Sequence, residues 1–408
     1  MKRRAWYIRL AVVLLICISG ARESYAGLTA DSLEFSLLTC DPHSKIYSLY
    51  GHTAIKMYDK EKHMSFFINY GVFDFASKNF ILRFVFGLTD YELGIFSERD
   101  FMAEYQSRGS GVTEQKLNLT SSEKLRIFRA LMENNREENR FYRYNYFYDN
   151  CTTRARDLIV KNLDGAVVYP PSEREGMSYR DAVHEYNEEH PWARFGNDIL
   201  LGVKADKRLT QAELQFLPFN LHDDFAGAEV VNIDGSRRRL VSDTRQLLAP
   251  GMQFIEDGFP LRPRSCALIL LALTLVISGI ELYSKKAVWA YDLLLMTASG
   301  LAGIVLTAMI FSQHPTVSLN LQILLLNPLP LLLAYPVIKR LRHHQSHWWW
   351  KVQLVLIALF FAGSLIQSYA EGMLFLACSL LIRCLGYYKI TPHVQLKKTE
   401  KNNITKKI

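Results

Sequence analysis

Metal-binding motifs, nucleic-acid-binding patches and a lipid-attachment motif are all missing from this sequence. The 408 residues contain six cysteines but no CxxC pair, so we expect no zinc site, and likewise no other metal and no cofactor. The formal net charge of +8 is not gathered into a basic stripe with interleaved aromatic residues, which argues against a nucleic-acid partner. No cysteine preceded by small residues stands at the predicted signal cleavage point, so the chain is not expected to be a lipoprotein itself.

The N-terminal segment has the three parts of a secretory signal peptide. Lys2-Arg3-Arg4 is a basic n-region, residues 10–20 are an apolar h-region, and Ser24-Tyr25-Ala26 fits the small-x-small cleavage pattern. We therefore expect residues 1–26 to be removed and the chain after them to be exported. An uncleaved membrane anchor is the alternative, and it would export the same residues.

Hydropathy divides the rest of the chain at about residue 262. Residues 27–262 are charged, aromatic and rich in turns, and we expect an exported domain of mixed strands and helices there. Residues 265–388 are overwhelmingly apolar, with stretches near the ~20 residues that cross a bilayer as a helix. We predict five transmembrane helices, at residues 266–283, 288–311, 321–338, 352–369 and 373–388.

Basic residues predict the orientation of these spans. Lys285-Lys286, residues 339–344 and the tail at 389–408 all fall on one side when the spans alternate. By the positive-inside rule that side is the cytoplasm. Residues 27–262 therefore lie on the outer side of the membrane.

The strongest chemical signal is in residues 144–159. An aromatic segment stops at Asp149 and Asn150, which are good helix N-caps, so Cys151 falls at the first helical position. A thiol there lies beside unpaired backbone N–H groups and the positive end of the helix dipole, which stabilise the thiolate. We predict that Cys151 is a nucleophile. A small buried residue in a first turn is the alternative.

A nucleophilic thiolate needs a base, and the best candidate is His52. Gly51 before it permits close backbone approach or an unusual φ angle, and the residues after it alternate as a half-buried strand. Asn69 on the next predicted strand could orient the imidazole, or could be a satisfied strand-end residue. His184 and His190 are alternative bases, although their acidic neighbours suggest solvated helix faces.

Cys40 provides the main rival to a catalytic thiol. The compartment after export is oxidising, so Cys40 and Cys151 could form a structural disulfide in a non-catalytic envelope scaffold. Cys40 as the nucleophile is a weaker hypothesis, because no helix start lowers its pKa.

Two further regions have features that suit a lipid. Residues 75–96 are densely aromatic and form either core or, in part, an acyl-chain groove at the membrane interface. The outer loop with His314 and Asn320, and the helix-breaking Asn327 beyond it, could bind a headgroup or help close the site. An ordinary loop with a kinked helix is the alternative.

A set of short motifs extends over nearly all of the chain after residue 26. They are Leu38-Thr39-Cys40-Asp41-Pro42, Tyr50-Gly51-His52-Thr53-Ala54, Asn69-Tyr70-Gly71-Val72-Phe73, Tyr146-Phe147-Tyr148-Asp149-Asn150-Cys151-Thr152-Thr153-Arg154, and His314-Pro315 with Asn327-Pro328. Together with five spans they resemble the Bacteroidota lipoprotein N-acyltransferase family. The resemblance implies transfer of a fatty acyl chain from phospholipid to the N-terminal amine of diacylglyceryl-cysteine lipoproteins, in the bacterial inner membrane with the N-terminal domain in the periplasm.

A strand-borne histidine facing a helix-borne cysteine, with the histidine first in the chain, is similar to circularly permuted papain-like enzymes. We therefore expect an α+β permuted papain-like periplasmic domain followed by an all-α membrane domain of five helices. A membrane-anchored thiol hydrolase of cell-wall peptide or lipid is the rival enzyme. The expected catalytic residues are Cys151, His52 and Asn69, and the expected substrate contacts are Asn150, Arg154, His314, Asn320 and Asn327.

Overall fold

The structure is a computed structural model that describes residues 30–43, 45, 48–73, 78–253 and 259–387. The predicted signal peptide at 1–26 and the basic tail at 389–408 lie outside the described residues. Strands and helices alternate up to residue 248, and the chain from residue 263 onward is helical. The predicted division into an α+β part and an all-helical apolar part is therefore confirmed.

An antiparallel sheet forms the centre of the α+β part. Within the described residues it has seven strands in the order β10-β5-β1-β2-β3-β4-β6. The strand predicted after Gly51 and the next predicted strand, which carries Asn69, are the neighbouring members β2 and β3. The register of β1 and β2 places Cys40 opposite His52. The strands are β1 Leu33–Cys40, β2 His52–Asp59, β3 Met64–Val72, β4 Asp90–Ser97, β5 Val112–Leu117, β6 Phe141–Arg143 and β10 Val241–Leu248.

Helices cover both faces of this sheet, which explains why almost every residue of β1 is buried, whichever face it is on. Leu37 packs on one face against α3, α4 and α8, whereas Leu38 packs on the other against α2. A small second sheet consists of β7 Ala166–Val168, β8 Glu229–Val231 and β9 Arg237–Arg239. The helices are α1 Phe80–Val85, α2 Glu98–Arg108, α3 Ser121–Asn134, α4 Cys151–Val160, α5 Tyr179–Asn187, α6 Pro191–Leu200, α7 Gln211–Leu214 and α8 Pro218–Gly227.

The apolar part contains three stretches long enough to cross a membrane, each of 22 residues, and two shorter helices. They are α9 Pro263–Ser284, α10 Trp289–Ile310, a 3-10 turn Leu321–Leu324 with α11 Leu329–Arg342, α12 Trp349–Gly363 and α13 Met373–Tyr387. The predicted fourth span was too long, because α12 ends at Gly363. The third is broken at Asn327-Pro328, as helix breakers there predicted.

A buried ion-pair network ties three of these helices together. The Arg383 guanidinium on α13 donates to Glu281 on α9, at 2.5 Å, and to Asp292 on α10, at 2.7 Å. All three side chains are at most 6% exposed. Each of these three buried charges therefore has a partner.

Backbone hydrogen bonds attach the α+β part to the outer loops of the helices. Gly202 N–H donates to the Thr316 carbonyl and Val203 N–H to the Leu319 carbonyl, both at 2.8 Å. An added Cβ on Gly202 would overlap the Leu319 carbonyl oxygen, so this contact requires glycine. The loop at 311–320 therefore lies on the same side as the α+β part, as the predicted topology requires.

Candidate active site

Helix α4 begins at Cys151, as predicted, and Asn150 holds its start. The Asn150 side-chain oxygen accepts hydrogen bonds from the N–H groups of Thr152 and Thr153, both at 2.9 Å. Its amide group donates to the carbonyls of Tyr146 and Phe216, both at 2.8 Å. Asn150 was predicted to contact the substrate, but its side-chain oxygen and its amide group are both used in these hydrogen bonds, which position Cys151.

His52 lies at the start of β2 beside the Cys151 thiol. Gly51 has a φ of +74°, and an added Cβ there would lie 2.7 Å from the Cys40 carbonyl oxygen, so both predicted reasons for a glycine apply. The His52 ring is hydrogen-bonded to Cys151 and, through Nε2, to Asn69 Oδ1 at 2.5 Å. Because an amide oxygen only accepts, Nε2 carries a proton and Nδ1 is the nitrogen left for the thiol.

The electrostatics of the pair favour a thiolate and an imidazolium. Burial alone would raise the pKa of Cys151, but the charge and hydrogen bond of His52 and a hydrogen bond from the Thr53 backbone N–H lower it to about 7. Burial alone would lower the pKa of His52, but Cys151 and then Asn69 raise it above its ordinary value of 6.5. These opposite shifts are those of a nucleophile and its base.

Cys40 takes no part in this pair. Cys40 and Cys151 are both free thiols in the structure, so the disulfide of the scaffold hypothesis is not formed. Cys40 is fully buried and hydrogen-bonded to Tyr105, and burial raises its pKa far above the ordinary thiol value. A protonated, inaccessible thiol is a poor nucleophile.

Cys151 and His52 open into a cavity of about 330 Å³. The Glu104 and Arg108 side chains, which form an ion pair on α2, line one part of it. Apolar and aromatic side chains line another part; they include Val72, Phe73, Phe96, Tyr91, Tyr144 and Tyr146. A cavity lined by both charged and aromatic side chains suits a substrate that has a polar part and an apolar part.

The remaining predicted substrate contacts lie away from this cavity. The Arg154 guanidinium donates to both Asp149 oxygens, at 2.6 and 2.8 Å, and lies 3.5 Å over the Tyr142 ring. It lines a separate cavity with Tyr70 and Asn134. The Arg154 guanidinium therefore forms an ion pair away from the Cys151 cavity, and its expected contact with a substrate at Cys151 is not supported.

Asn320 and Asn327 have structural roles. Asn320 donates to the Ile199 carbonyl at 2.7 Å and accepts from Gln367 at 2.9 Å, which joins α6 to the helices. Asn327 accepts from the Leu329 N–H at 3.2 Å at the break before α11. Both are at most 9% exposed, so neither presents its amide to a substrate.

His314 lies where the outer loop meets α1. Its ring is hydrogen-bonded to the Phe84 backbone, and burial lowers its pKa, so it is neutral. The alternative base His184 is not on a solvated face, because it pairs with buried Asp198 at 2.9 Å. Neither of these histidines is therefore part of the Cys151 pair.

Sequence reasoning assigned no role to the Thr53 N–H or to Glu104. A backbone donor has no sequence signature, and Glu104 reaches the cavity only because α2 packs across β3 and β4. No cluster of three or more His, Cys, Asp or Glu side chains in the described part of the chain could hold a metal ion.

Comparison with known proteins matches two family models. Residues 22–170 match the model described as Lnb N-terminal periplasmic domain, and residues 255–394 match the model described as Lnb transmembrane domain. The first match includes Cys151, His52 and Asn69. No curated protein and no solved structure matches the chain.

Proposed function

Because this chain belongs to the Lnb lipoprotein N-acyltransferase family, we propose that it transfers a fatty acyl chain from a membrane phospholipid to the α-amino group of diacylglyceryl-cysteine lipoproteins. The family descriptions make it a membrane protein with a periplasmic N-terminal domain. The proposal adds the chemistry, the donor, the acceptor and the bacterial inner membrane as the location. It also takes residues 27–262 as the catalytic domain and 265–388 as its five-span anchor.

The arrangement of Cys151, His52 and Asn69 is the observation that carries this proposal. The thiol at a helix start, the imidazole at a strand start and the amide on the next strand are hydrogen-bonded in that order. This arrangement is similar to that of papain-like enzymes, with the histidine preceding the cysteine in the chain. It supports a permuted papain-like reading of the periplasmic domain and a thioester mechanism.

In the proposed first step, the Cys151 thiolate attacks an ester carbonyl of the phospholipid. The carbon–sulfur bond forms, and the carbon–oxygen bond to glycerol breaks. The leaving alkoxide takes the proton from Nδ1 of the His52 imidazolium and departs as a lysophospholipid alcohol. The Cys151 N–H stands at the first position of α4, where a backbone N–H has no partner within the helix, and we take it as the donor that stabilises the oxyanion.

In the proposed second step, the neutral α-amine of the lipoprotein attacks the thioester carbonyl. Nδ1 of His52 takes the proton from the amine nitrogen as the carbon–nitrogen bond forms. The carbon–sulfur bond breaks and returns the Cys151 thiolate. The products are an N-acylated lipoprotein and the original thiolate–imidazolium pair.

Intact-mass measurement of the full-length protein in detergent tests the first step. With phosphatidylethanolamine as the donor, we expect one added acyl chain on Cys151 that neutral hydroxylamine removes. The Cys151→Ala variant should gain no mass, whereas Cys40→Ala should gain the same mass as the wild type. Absence of the adduct from wild type and variants alike would refute the thioester.

The mass of lipoproteins from cells tests the second step and separates transfer from hydrolysis. Cells whose only copy carries Cys151→Ala should make lipoproteins that lack one acyl chain. Unchanged lipoprotein masses, together with release of free fatty acid by the purified wild type, would instead identify a thiol hydrolase.

A further inference from the structure

A stack of aromatic rings leads from the Cys151 cavity to helix α1. Tyr144 and Tyr91 line the cavity with Cys151, and each ring in the series lies within about 21° of parallel to the next. The ring centroids are 4.1 Å apart for Tyr144–Tyr91, 4.8 Å for Tyr91–Phe73, 5.9 Å for Phe73–Phe80 and 6.4 Å for Phe80–Phe84. The series therefore connects the thiol to the surface of the domain at Phe84.

Space for a ligand accompanies this stack. A second cavity of about 300 Å³ is lined by Val72, Phe73, Phe80 and Phe141 among others. Val72 and Phe73 also line the Cys151 cavity, so these two side chains separate the neighbouring cavities. Polar side chains line the other part of this outer cavity, among them Asp90 and Arg83, which form an ion pair at 2.7 Å.

Helix α1 lies at the level of the membrane surface. The Gln313 N–H donates to the Phe86 carbonyl at 3.0 Å, and Gln313 is only three residues beyond the end of α10. The His314 ring, in the same loop, is hydrogen-bonded to the Phe84 backbone. Gly87 packs closely against this loop, since an added Cβ there would lie 3.1 Å from the Gln313 nitrogen. The end of a transmembrane helix thus fixes the position of α1.

Helix α1 exposes two large apolar side chains, one on each side of Arg83 in the chain, although it belongs to an exported domain. Leu82 is 59% exposed and Phe84 is 47% exposed. When leucine and phenylalanine side chains at the bilayer surface enter the acyl-chain region of the lipid, the free energy of the system falls, because apolar surface leaves water. The acyl chains of the outer leaflet are therefore the apolar environment available to Leu82 and Phe84.

We propose that α1 inserts Leu82 and Phe84 into the outer leaflet, and that a phospholipid acyl chain passes along the aromatic stack to Cys151. The proposal rests on the proposed acyl transfer and adds the route by which the donor reaches the thiol. The chain leaves the bilayer at Phe84, occupies the outer cavity and brings its ester to the sulfur. The scissile ester needs to cross no open water on this route.

The test compares two donors on full-length protein in nanodiscs of palmitoyl-oleoyl phosphatidylethanolamine and phosphatidylglycerol. Acylation of Cys151 by the nanodisc lipid is followed by intact mass, and acylation by water-soluble p-nitrophenyl butyrate is followed by nitrophenol release. We expect Leu82→Gln and Phe84→Gln each to slow the lipid reaction roughly tenfold, since each loses most of its apolar insertion. The butyrate reaction should keep its wild-type rate.

Val168→Gln is the matched control, because Val168 is also 47% exposed but lies in the small second sheet. It should leave both rates unchanged. A phosphatidylethanolamine with a diazirine in its acyl chain should in addition label the peptide spanning residues 78–86.

Three results would overturn the inference. Unchanged lipid rates in both α1 variants would exclude this route while leaving acyl transfer intact. Equal loss with both donors would show damage to the catalytic pair instead of lost lipid access. A wild-type protein that forms no thioester from either donor would refute the proposed function itself.

Discussion

The pH dependence of Cys151 alkylation is the most direct measure of the catalytic pair. The pKa of this thiol is lowered from an ordinary 9.0 to about 7. That change corresponds to about 2.7 kcal/mol of preferential stabilisation of the thiolate. Burial of Cys151 favours the neutral thiol and so opposes this change. The contacts from His52 and the Thr53 N–H therefore stabilise the thiolate by more than the net value.

Removing the imidazole should reverse the shift. Half of the Cys151 thiols are thiolates at pH 7 with a pKa of about 7, compared with about 1% for a pKa near 9, so His52→Ala should slow alkylation at pH 7 about 50-fold or more. Asn69→Ala keeps the ring but loses its orienting hydrogen bond, and we expect a smaller loss of about tenfold.

The assay measures iodoacetamide rates between pH 5 and 10, with the Cys151 peptide quantified by mass spectrometry. The wild-type rate should rise with pH, reach half its maximum near pH 7 and then stay level. His63→Asn is the control, because His63 is an exposed hairpin residue that contacts Tyr58. A wild-type midpoint near 9, or a midpoint that stays near 7 in His52→Ala, would refute the reasoning.

Acyl transfer should differ from alkylation at alkaline pH. The leaving alcohol needs the proton on His52, whose pKa is raised above 6.5. Transfer should therefore rise through pH 7, as the thiolate forms, and fall again once the imidazolium loses its proton. A transfer rate that stays level with alkylation up to pH 10 would exclude His52 as the proton donor.

Other substitutions test particular contacts. Cys40→Ala should leave Cys151 alkylation unchanged and lower the free energy of unfolding by about 1 kcal/mol, since it empties a small buried volume. Asn150→Ala removes the α4 cap and should cost about 1–2 kcal/mol, measured as a lower thermal midpoint in detergent. Gly202→Ala should loosen the joint between the two parts and speed limited proteolysis there. Arg383→Met leaves two buried carboxylates unpaired and should cost about 3–5 kcal/mol.

Gly196→Ala is the matched control for Gly202→Ala. An added Cβ at Gly196, in the preceding helix α6, would meet nothing within 4 Å. Its proteolysis rate should equal that of the wild type. Equal rates in all three proteins would show that the backbone contact at Gly202 does not hold the parts together.

The sequence predicted the start of α4 and the strand after Gly51, because both depend on residues that are neighbours in the chain. The start of α4 at Cys151 follows from the capping preference of Asn150, and the strand after Gly51 follows from alternation. Pairing of β2 with β3 through a short hairpin then places Asn69 near His52. Three residues far apart in the chain could thus be grouped from helix and strand rules alone.

Long-range packing decided what the sequence could not predict. Asn320 and Asn327 were expected to meet a substrate because polar residues at membrane depth often line cavities. Their amides instead satisfy backbone groups that the helix break and the domain joint leave open. The end of α12 was predicted too late in the chain as well, because apolar residues continue past Gly363 although the helix does not.

The pairing of residues 202–203 with the loop at 316–319 has a consequence for the choice of acceptor. The two backbone hydrogen bonds hold the α+β part against the outer ends of the membrane helices, so Cys151 is kept close to the membrane surface. Under the proposed acyl transfer, an amine whose own lipid holds it beside the bilayer would meet the thioester more readily than an amine further away. The attachment would therefore favour the first residue of a lipidated protein over lysines further from the membrane.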